Sequence, residues 1–396
     1  MPRRLAATTA LLTTALLLTS CAVPGAPSES PSPSIPAFDG VDGGGAAEVA
    51  APASALLVAD EAGTITILDL ATEEREQLDG DGAVFGTGRF GYRVESDDTA
   101  TSVQIVDSGR WTVPHGDHSH SFRGETRIAG SVAGAGDVRV TVGDHATAAL
   151  FDDELALIDH EDAGQADPVR IPVPSEAPEF VVPFAGHLLS ATASTVDVLD
   201  DAGAATGASV PCAHPTDADI TRVGAVIACT DGVALVTREV GGTLSAESIP
   251  YPGGAPAALT LLGRADRPDL AGVAGDRGAW LLDSRARSWT LLPTDVPLVA
   301  ASAIGDDDGR TVVVADDGTV RVLAADGAEI ARTDPLVTAS LGDSAARARI
   351  TLLVGAAHAY VSDPAAGEIH EIDHRDGALV TRTFADLDPW HVQLVG

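Results

Sequence analysis

The sequence predicts an all-β protein folded as a single β-propeller with eight blades, or seven if one hairpin is miscounted. One hairpin motif recurs along the chain, and no segment after the first twenty residues has the periodicity of an amphipathic helix. Motifs spaced by about 40–45 residues are typical of propeller blades, each a small antiparallel sheet. Two stacked β-sandwiches are the alternative fold with similar strand content.

The recurring motif is an apolar run, an Asp-Gly-type turn and a second run of alternating residues, which together predict a hairpin. It is clearest at residues 56–69, 227–236, 312–323 and 359–373. The hairpins place blades near residues 54–80, 83–107, 128–160, 168–200, 209–250, 257–293, 298–332 and 350–384. We expect the last segment, residues 391–395, to pair with the first blade and close the ring, which removes exposed sheet edges.

The first twenty residues have the features of a secretion signal. Arg3 and Arg4 precede an uncharged Ala/Leu/Thr run, and small residues stand just before Cys21. The run is shorter than the roughly 20 apolar residues of a transmembrane helix. The cysteine at the cut site resembles the lipobox of bacterial lipoproteins, which implies that Cys21 is lipidated. An uncleaved anchor or a plain signal is the alternative.

The predicted organisation follows from this signal. Residues 1–20 are the lipoprotein signal peptide, and residues 21–46 are the lipidated cysteine and a disordered linker rich in Pro, Ser and Gly. Residues 47–396 are the propeller domain. The protein is therefore expected outside the cytoplasm, anchored to the cell membrane by the lipid on Cys21.

Charge and motifs exclude several functions. The chain carries 24 Lys and Arg against 58 Asp and Glu, a formal net charge of −34. Such a surface repels nucleic acid and attracts cations, so we expect no nucleic-acid partner. The sequence lacks a Gly-x-Ser-x-Gly elbow, a Walker loop, a His-Glu-x-x-His motif and a dinucleotide fingerprint. These observations favour a binding protein over an enzyme.

Two cysteines remain once Cys21 carries the lipid. Cys212 and Cys229 lie in a chain that is expected to fold in an oxidising compartment. Under those conditions a pair of cysteines is best interpreted as one disulfide. Paired thiols are poor metal ligands, so neither is counted in a metal site.

The segment His115-Gly116-Asp117-His118-Ser119-His120 is the clearest candidate site, because it holds three of the eleven histidines. His118 and His120 share one face of an extended strand, and Gly116 lets the chain turn so that His115 approaches them. Imidazole and carboxylate groups are zinc ligands. Asp117 either ligates or orients a histidine. Cu²⁺, Ni²⁺ and Co²⁺ would also bind, and a polar loop with coincidental histidines is the alternative.

Other histidines are interpreted one by one. His187 begins a strand and could reach the propeller axis as a fourth ligand; His214, close to Cys212, is of similar rank. Taken alone, each is more often an ordinary half-buried histidine than a metal ligand. His145 is expected in a turn and His391 in the closing strand. His370 and His374 are expected to be solvated.

Four segments resemble the AztD family of zinc metallochaperones. They are residues 102–109 leading into HGDHSH, residues 182–190, Cys212-Ala213-His214, and residues 227–233 followed by Ile249-Pro250-Tyr251-Pro252. The resemblance spans most of residues 80–260. It implies a periplasmic propeller that works with a zinc ABC importer, and metal roles for His115, His118, His120, His187 and His214.

These observations favour a membrane-tethered protein that binds Zn²⁺ and passes it to the solute-binding protein of a zinc ABC importer. One alternative is a metal-independent protein–protein interaction propeller on the cell surface. Another is a propeller enzyme of the lactonase or quinoprotein type, which would gather acidic or aromatic residues around a central tunnel.

Overall fold

Antiparallel strands make up most of the described chain. The computed structural model describes residues 46–396 except residues 97–99, 116–117, 166, 174–177 and 253–255, and the side chains of Pro114, His115 and His118 also lie outside the description. The predicted signal peptide, Cys21 and almost all of the predicted linker fall outside the described residues. Among the described residues, no helix is long and apolar enough to cross a membrane.

The described strands are numbered in chain order. In chain order they are β1 (Ala47–Val49), β2 (Ala55–Ala59), β3 (Ile65–Asp69), β4 (Arg75–Leu78), β5 (Ala83–Thr87), β6 (Phe90–Ser96), β7 (Thr101–Asp107), β8 (Arg110–His115), β9 (His118–Arg123), β10 (Arg127–Gly134), β11 (Arg139–Val142), β12 (Ala146–Leu150), β13 (Glu154–Asp159), β14 (Val169–Pro172), β15 (Phe180–Phe184), β16 (His187–Ala191), β17 (Thr195–Leu199), β18 (Ala205–Pro211), β19 (Asp217–Ile220), β20 (Ala225–Cys229), β21 (Gly232–Arg238), β22 (Leu244–Pro250), β23 (Asp269–Val273), β24 (Ala279–Asp283), β25 (Ser288–Leu292), β26 (Leu298–Ala303), β27 (Thr311–Ala315), β28 (Val320–Leu323), β29 (Glu329–Arg332), β30 (Leu352–Val354), β31 (His358–Asp363), β32 (Glu368–Asp373), β33 (Leu379–Phe384) and β34 (His391–Val395).

The described strands form eight blade sheets and one smaller sheet. Blade 1 joins β34 to β2, β3 and β4, and blade 2 contains β5, β6, β7 and β10. Blades 3, 4 and 5 are β11–β14, β15–β18 and β19–β22; blades 6, 7 and 8 are β23–β25, β26–β29 and β30–β33. In blade 6, Leu262 supplies the first-strand position through an antiparallel bridge to Ala271. The smaller sheet has the order β1-β9-β8.

Apolar side chains between the blades close them into a ring. Each of the eight buried clusters in the described chain contains residues of two neighbouring blades. Val182 of blade 4 packs with Ile227 of blade 5, for example, and Tyr360 of blade 8 packs with Leu56 of blade 1. A continuous ring of eight interfaces is a propeller, and two stacked sandwiches would not produce it.

Ring closure occurs where the sequence predicted it. The last strand, β34, pairs antiparallel with β2, so that Ala55 lies opposite Val395 and Ala59 opposite His391. Strands β2 and β3 are buried along their whole length, whereas β4 is largely exposed. The recurring hairpin motif therefore corresponds to the second and third strands of a blade, which other blades cover on both faces.

The predicted boundaries of blades 2 to 4 were wrong by one strand. Strand β10 was expected to open the third blade, but it pairs with β7 as the fourth strand of blade 2. Strand β14, expected to open the fourth blade, is the fourth strand of blade 3. The first and the fourth strand of a blade are both partly exposed. An alternation of apolar and polar residues in the sequence therefore does not show whether a strand opens one blade or completes the blade before it. The β8–β9 insertion also interrupts the repeat.

In the part of the chain that the structure describes, helical structure is limited to single turns. A 3-10 turn spans Gly275–Arg277, and two short helices follow, α1 (Thr338–Leu341) and α2 (Ser344–Arg347). Asp343 caps α2, because its carboxylate accepts hydrogen bonds from the amides of Ala345 and Ala346 at 2.8 and 3.0 Å. These turns lie between blades 7 and 8 or within a connection, in keeping with the weak helical periodicity of the sequence.

The connections divide the propeller into two faces. The connections that join first to second strands and third to fourth strands lie at one end of the blades. We call this end the hairpin face, because the β8–β9 hairpin is inserted in one of these connections. The remaining connections, which include the turns of the recurring motif between second and third strands, form the opposite face. The parallel bridge between Gly263 and Ala303 indicates that neighbouring first strands run in the same direction. On the hairpin face, the Asp144 carboxylate of blade 3 accepts a hydrogen bond from the Ala185 amide of blade 4 at 2.9 Å.

Candidate metal site

The histidine-rich segment forms a hairpin between the third and fourth strands of blade 2. In the β8–β9 ladder, His115 lies opposite His118 and Val113 lies opposite His120. Opposite residues of an antiparallel pair share a face, as do alternate residues of one strand. The positions of His115, His118 and His120 therefore lie on one face, which we call the histidine face. Gly116 and Asp117, between the strands, lie outside the described residues.

Two aromatic rings confirm the register of this hairpin. Trp111 lies opposite Phe122, and their rings stack with centroids 5.2 Å apart. On the other face, the hydroxyls of Thr112 and Ser121 are 3.1 Å apart. Alternate residues of a strand, and residues directly opposite across a ladder, are spaced about 5–7 Å apart. The register thus brings the backbone positions of the three histidines near one another.

Charged groups attach the base of the hairpin to blade 1. Arg110 is 1% exposed, and its Nη2 lies 3.8 Å from Asp69 Oδ2; Arg123 Nη2 lies 3.1 Å from the same oxygen. Burial raises the pKa of Asp69, but hydrogen bonds from the Thr72 and Ala71 amides and the charge of Arg123 outweigh it, so the pKa is lowered overall. The carboxylate is thus held ionised between the two arginines.

A second contact attaches the hairpin to blade 2. Arg89 binds Asp107 through Nε and Nη2 at 2.8 and 2.7 Å. Its guanidinium also lies 3.7 Å from the centre of the Trp111 ring, a cation–π geometry. Through Trp111, the histidine face is packed against the propeller at its base.

The N-terminal strand β1 adds a third strand to the hairpin. It pairs antiparallel with β9, with Glu48 opposite Phe122. Glu48 Oε1 lies 2.5 Å from His120 Nδ1. The sequence analysis did not identify Glu48, because it is separated from His120 by 72 positions and no local pattern links a three-residue strand to a distant hairpin.

His187 lies on the hairpin face, on the first-to-second connection of blade 4. It is paired with Phe184 across a two-residue turn. Ala185 and Gly186 form this turn with φ values of 50° and 74°, in the left-handed region that favours glycine. His187 Nδ1 lies 3.1 Å from the Ala185 carbonyl oxygen. The side of the propeller that holds this histidine also holds the β8–β9 hairpin.

His214 lies on the opposite face. It belongs to the connection between β18 and β19, and its amide donates to the Ala193 carbonyl at 2.9 Å. Ala193 follows the end of β16, whereas His187 begins that strand, and six residues of strand span roughly 20 Å. His187 and His214 therefore do not share one metal ion. The predicted disulfide is confirmed beside His214: Cys212 and Cys229 are bonded, with Cα atoms 5.3 Å apart.

Two more histidines lie on the hairpin face in blade 3. His145 is in a turn, as expected, with Nδ1 2.5 Å from Asp144 Oδ1; this hydrogen bond raises its pKa. His160, which the sequence analysis did not single out, donates its amide to the His145 carbonyl. Burial lowers the pKa of His160 to about 4. Its ring is therefore neutral at physiological pH.

The expectation that His370 and His374 are solvated was wrong. They are only 5% and 3% exposed, and burial lowers the pKa of both. His370 lies on β32, the third strand of blade 8, where neighbouring blades cover both sides of the sheet. The alternation of polar and apolar residues along β32 suggests that one face of the strand is open to solvent. Because neighbouring blades cover both faces, the polar residues are buried as well.

The described residues alone do not complete a metal site. Among them, no three His, Cys, Asp or Glu side chains form a group that could hold a metal ion. The side chains of His115, Asp117 and His118 are not among those residues. The described residues show two features of this region. The backbone register aligns the three histidine positions, and the Glu48 carboxylate contacts Nδ1 of His120.

Comparison with solved structures identifies the same fold in AztD from Citrobacter koseri. The apo AztD structure has a TM-score of 0.70 and 18% sequence identity, over 87% of this chain and 98% of that chain. A second crystal structure of the same protein has a TM-score of 0.69 with the same identity and coverage. Dihydro-heme d1 dehydrogenase NirN is less similar, with a TM-score of 0.51 and 14% identity over 85% of this chain and 74% of that chain.

These likenesses establish the fold. The resemblance to AztD that the sequence indicated is thereby confirmed at the level of the fold, and the propeller class with it. No protein-family profile matches the chain, and no curated protein is similar to it in sequence.

Proposed function

We propose that this protein is an extracytoplasmic, zinc-binding lipoprotein that acts as a metallochaperone and delivers Zn²⁺ to the solute-binding protein of a zinc ABC importer. The observation that carries the proposal is the β8–β9 register, which aligns His115, His118 and His120 on the histidine face. The sequence resemblance to AztD and the shared propeller fold support it.

The chemistry of the donor set fits a cargo site for zinc. Zinc sites that keep an exchangeable position use three protein ligands, often histidines, and leave the fourth position open. Three histidines on a hairpin meet this need, with Asp117 as a further ligand or as a group that orients one imidazole. Because the hairpin is an insertion outside the blades, a partner can approach it without opening the propeller.

His187 and His214 lie on different faces of the propeller, and this difference decides which of them is the candidate for a fourth protein ligand. His187 lies on the hairpin face and is the candidate, with its Nδ1 near the Ala185 carbonyl. His214 lies on the opposite face, so the proposal does not include it in the same site. The neighbouring His145 is engaged by Asp144.

The proposed lipid anchor gives the site its location. A flexible linker over residues 21–46 has a root-mean-square span of roughly 25–30 Å. Tethering of donor and acceptor at one membrane raises their effective concentration. Lipidation of Cys21 and cleavage of residues 1–20 would be tested by mass spectrometry of the N-terminal peptide.

Zinc binding is tested by calorimetric titration of the full-length, tag-free protein in detergent. We expect the His118→Ala/His120→Ala double variant to lose at least 100-fold in affinity, because two of three ligands are removed. His358→Ala, in blade 8, is the matched control and should bind as the wild type does. Unchanged affinity in the double variant would rule out the hairpin as the site.

Delivery is tested separately from binding. The zinc-loaded protein is mixed with the metal-free solute-binding protein of a zinc importer, the two are separated, and zinc is measured in each. We expect transfer from the wild type to be faster than release to a chelator of similar affinity. A partner that binds equally well with and without zinc, and receives none, would instead favour a metal-independent interaction propeller.

A further inference from the structure

The strand that follows the predicted linker is part of the histidine hairpin. Strand β1 pairs with β9 over three residues, Ala47 to Val49, which face Arg123 to Ser121. Because Glu48 lies opposite Phe122, and Phe122 shares a face with His120, Glu48 lies on the histidine face. The position of this carboxylate is therefore set by a strand ladder.

The contact between Glu48 and His120 is direct. Glu48 Oε1 lies 2.5 Å from His120 Nδ1, and the two side chains are only 28% and 21% exposed. An ionised carboxylate only accepts hydrogen bonds. Nδ1 of His120 is therefore the donor, which places its hydrogen on the ring nitrogen nearer the backbone.

This tautomer matters for metal binding. An imidazole that donates through Nδ1 ligates a metal through Nε2, and a carboxylate on Nδ1 both orients the ring and raises its basicity. Removal of such a partner typically costs about 10–100-fold in metal affinity. Among the described residues, Glu48 is a carboxylate that makes this contact with Nδ1 of a hairpin histidine.

We propose that Glu48 is a positioning residue of the zinc site, and that β1 is a required part of it. The inference rests on the proposed zinc-binding function. It assigns to the N-terminal strand a role beyond linking the anchor to the propeller: β1 holds His120 in the ligating tautomer. A linker that ends at residue 46 leads directly into this strand.

The proposal is tested by zinc titration of four full-length proteins: wild type, Glu48→Ala, His120→Ala and the double variant. Glu48→Ala should weaken zinc binding by about 10–100-fold. In the His120→Ala background, the same change should have no further effect, because Glu48 acts through His120. Glu239→Ala, an exposed acidic residue in blade 5, is the control for the loss of one negative charge. Wild-type affinity in Glu48→Ala, or an equal loss in both backgrounds, would overturn the proposal.

A measurement without metal separates this inference from the proposed function. Nitrogen-15 spectra of histidine-labelled, zinc-free protein report the tautomer of His120, assigned with His120→Ala. The wild type should show the Nδ1–H form, and Glu48→Ala should shift it toward the Nε2–H form common in water. If no variant binds zinc but the shift occurs, the metallochaperone proposal fails and the contact stands. If the tautomer is unchanged, the role of Glu48 is wrong even where zinc binds.

Discussion

Among the described side chains, two histidines on the hairpin face carry a carboxylate on Nδ1, but only one of these pairs could be found from the sequence. Asp144 is adjacent to His145 in the chain, and the two atoms are 2.5 Å apart. Glu48 makes an equally short contact with His120 from 72 positions away. The first pair is local, and the second exists only because β1 pairs with β9.

His187 and His214 should respond differently to substitution. If His187 supplies a fourth ligand, His187→Ala should weaken zinc binding by about 10-fold or more. His214→Ala should leave the affinity unchanged, since His214 lies on the opposite face beside Ala193. Competition titration against a zinc chelator measures both. A loss in His214→Ala comparable to that in His187→Ala would contradict the assignment of faces.

At the scale of elements, the β8–β9 hairpin is held at its base by two kinds of contact. Arg110 and Arg123 approach Asp69 of blade 1, and Trp111 stacks between Phe122 and the guanidinium of Arg89. The aromatic and cation–π contacts each contribute about 0.5–1.5 kcal/mol. Together they set the direction in which the hairpin leaves blade 2.

Trp111→Ala should loosen the hairpin without unfolding the propeller. The substitution removes both the stack with Phe122 and the cation–π contact, so we expect faster amide hydrogen exchange over residues 108–126 and about 10-fold weaker zinc binding. Trp390→Ala is the matched control, because Arg349 lies 3.6 Å from the Trp390 ring in a similar contact away from the hairpin. If exchange over 108–126 were unchanged in Trp111→Ala, the hairpin would be held in place by other contacts.

At the scale of the whole molecule, stability comes from eight interfaces between blades rather than one central core. The Cys212–Cys229 disulfide reinforces the interface between blades 4 and 5, where both cysteines are buried. The ring also surrounds carboxyl groups on first strands. Burial raises the pKa of Asp217 to about 6, and burial together with the charge of Asp217 raises that of Asp219 to about 7.

Asp219→Asn should stabilise the propeller in a pH-dependent way. The folded state binds the proton of Asp219 up to about pH 7, whereas the unfolded state releases it near pH 4. The contribution of Asp219 to stability therefore falls as pH rises from about 4 to about 7. Relative to wild type, we expect Asp219→Asn to gain roughly 1–3 kcal/mol above pH 7, since a tenfold difference in proton affinity is worth about 1.4 kcal/mol and solvent reduces the effect.

Urea denaturation at several pH values measures this difference. The gain in Asp219→Asn should shrink as pH falls and be absent below about pH 4, where the carboxyl is protonated in both states. Asp201→Asn, in an exposed turn between β17 and β18, is the matched control and should show no such trend. A gain in Asp219→Asn that is the same at pH 4 and pH 8 would indicate a packing effect instead.

Much of the fold was readable from the sequence because its signals are local. The second and third strands of the blades carry period-two runs and Asp-Gly turns, as at β27 and β28, and the closing strand β34 pairs with β2 as expected. The disulfide followed from the number of cysteines and the compartment. The shared face of His118 and His120 followed from their spacing on an extended strand, and β9 contains both positions.

The tertiary structure alone decided what depends on distant contacts. It showed that β10 and β14 complete blades rather than open them, and that His370 and His374 are buried by neighbouring blades. It placed His187 and His214 on opposite faces, and it brought Glu48 to His120. Local patterning in a sequence sets which residues form strands, but the direction of a connection and the partner of an edge strand depend on how the whole ring closes.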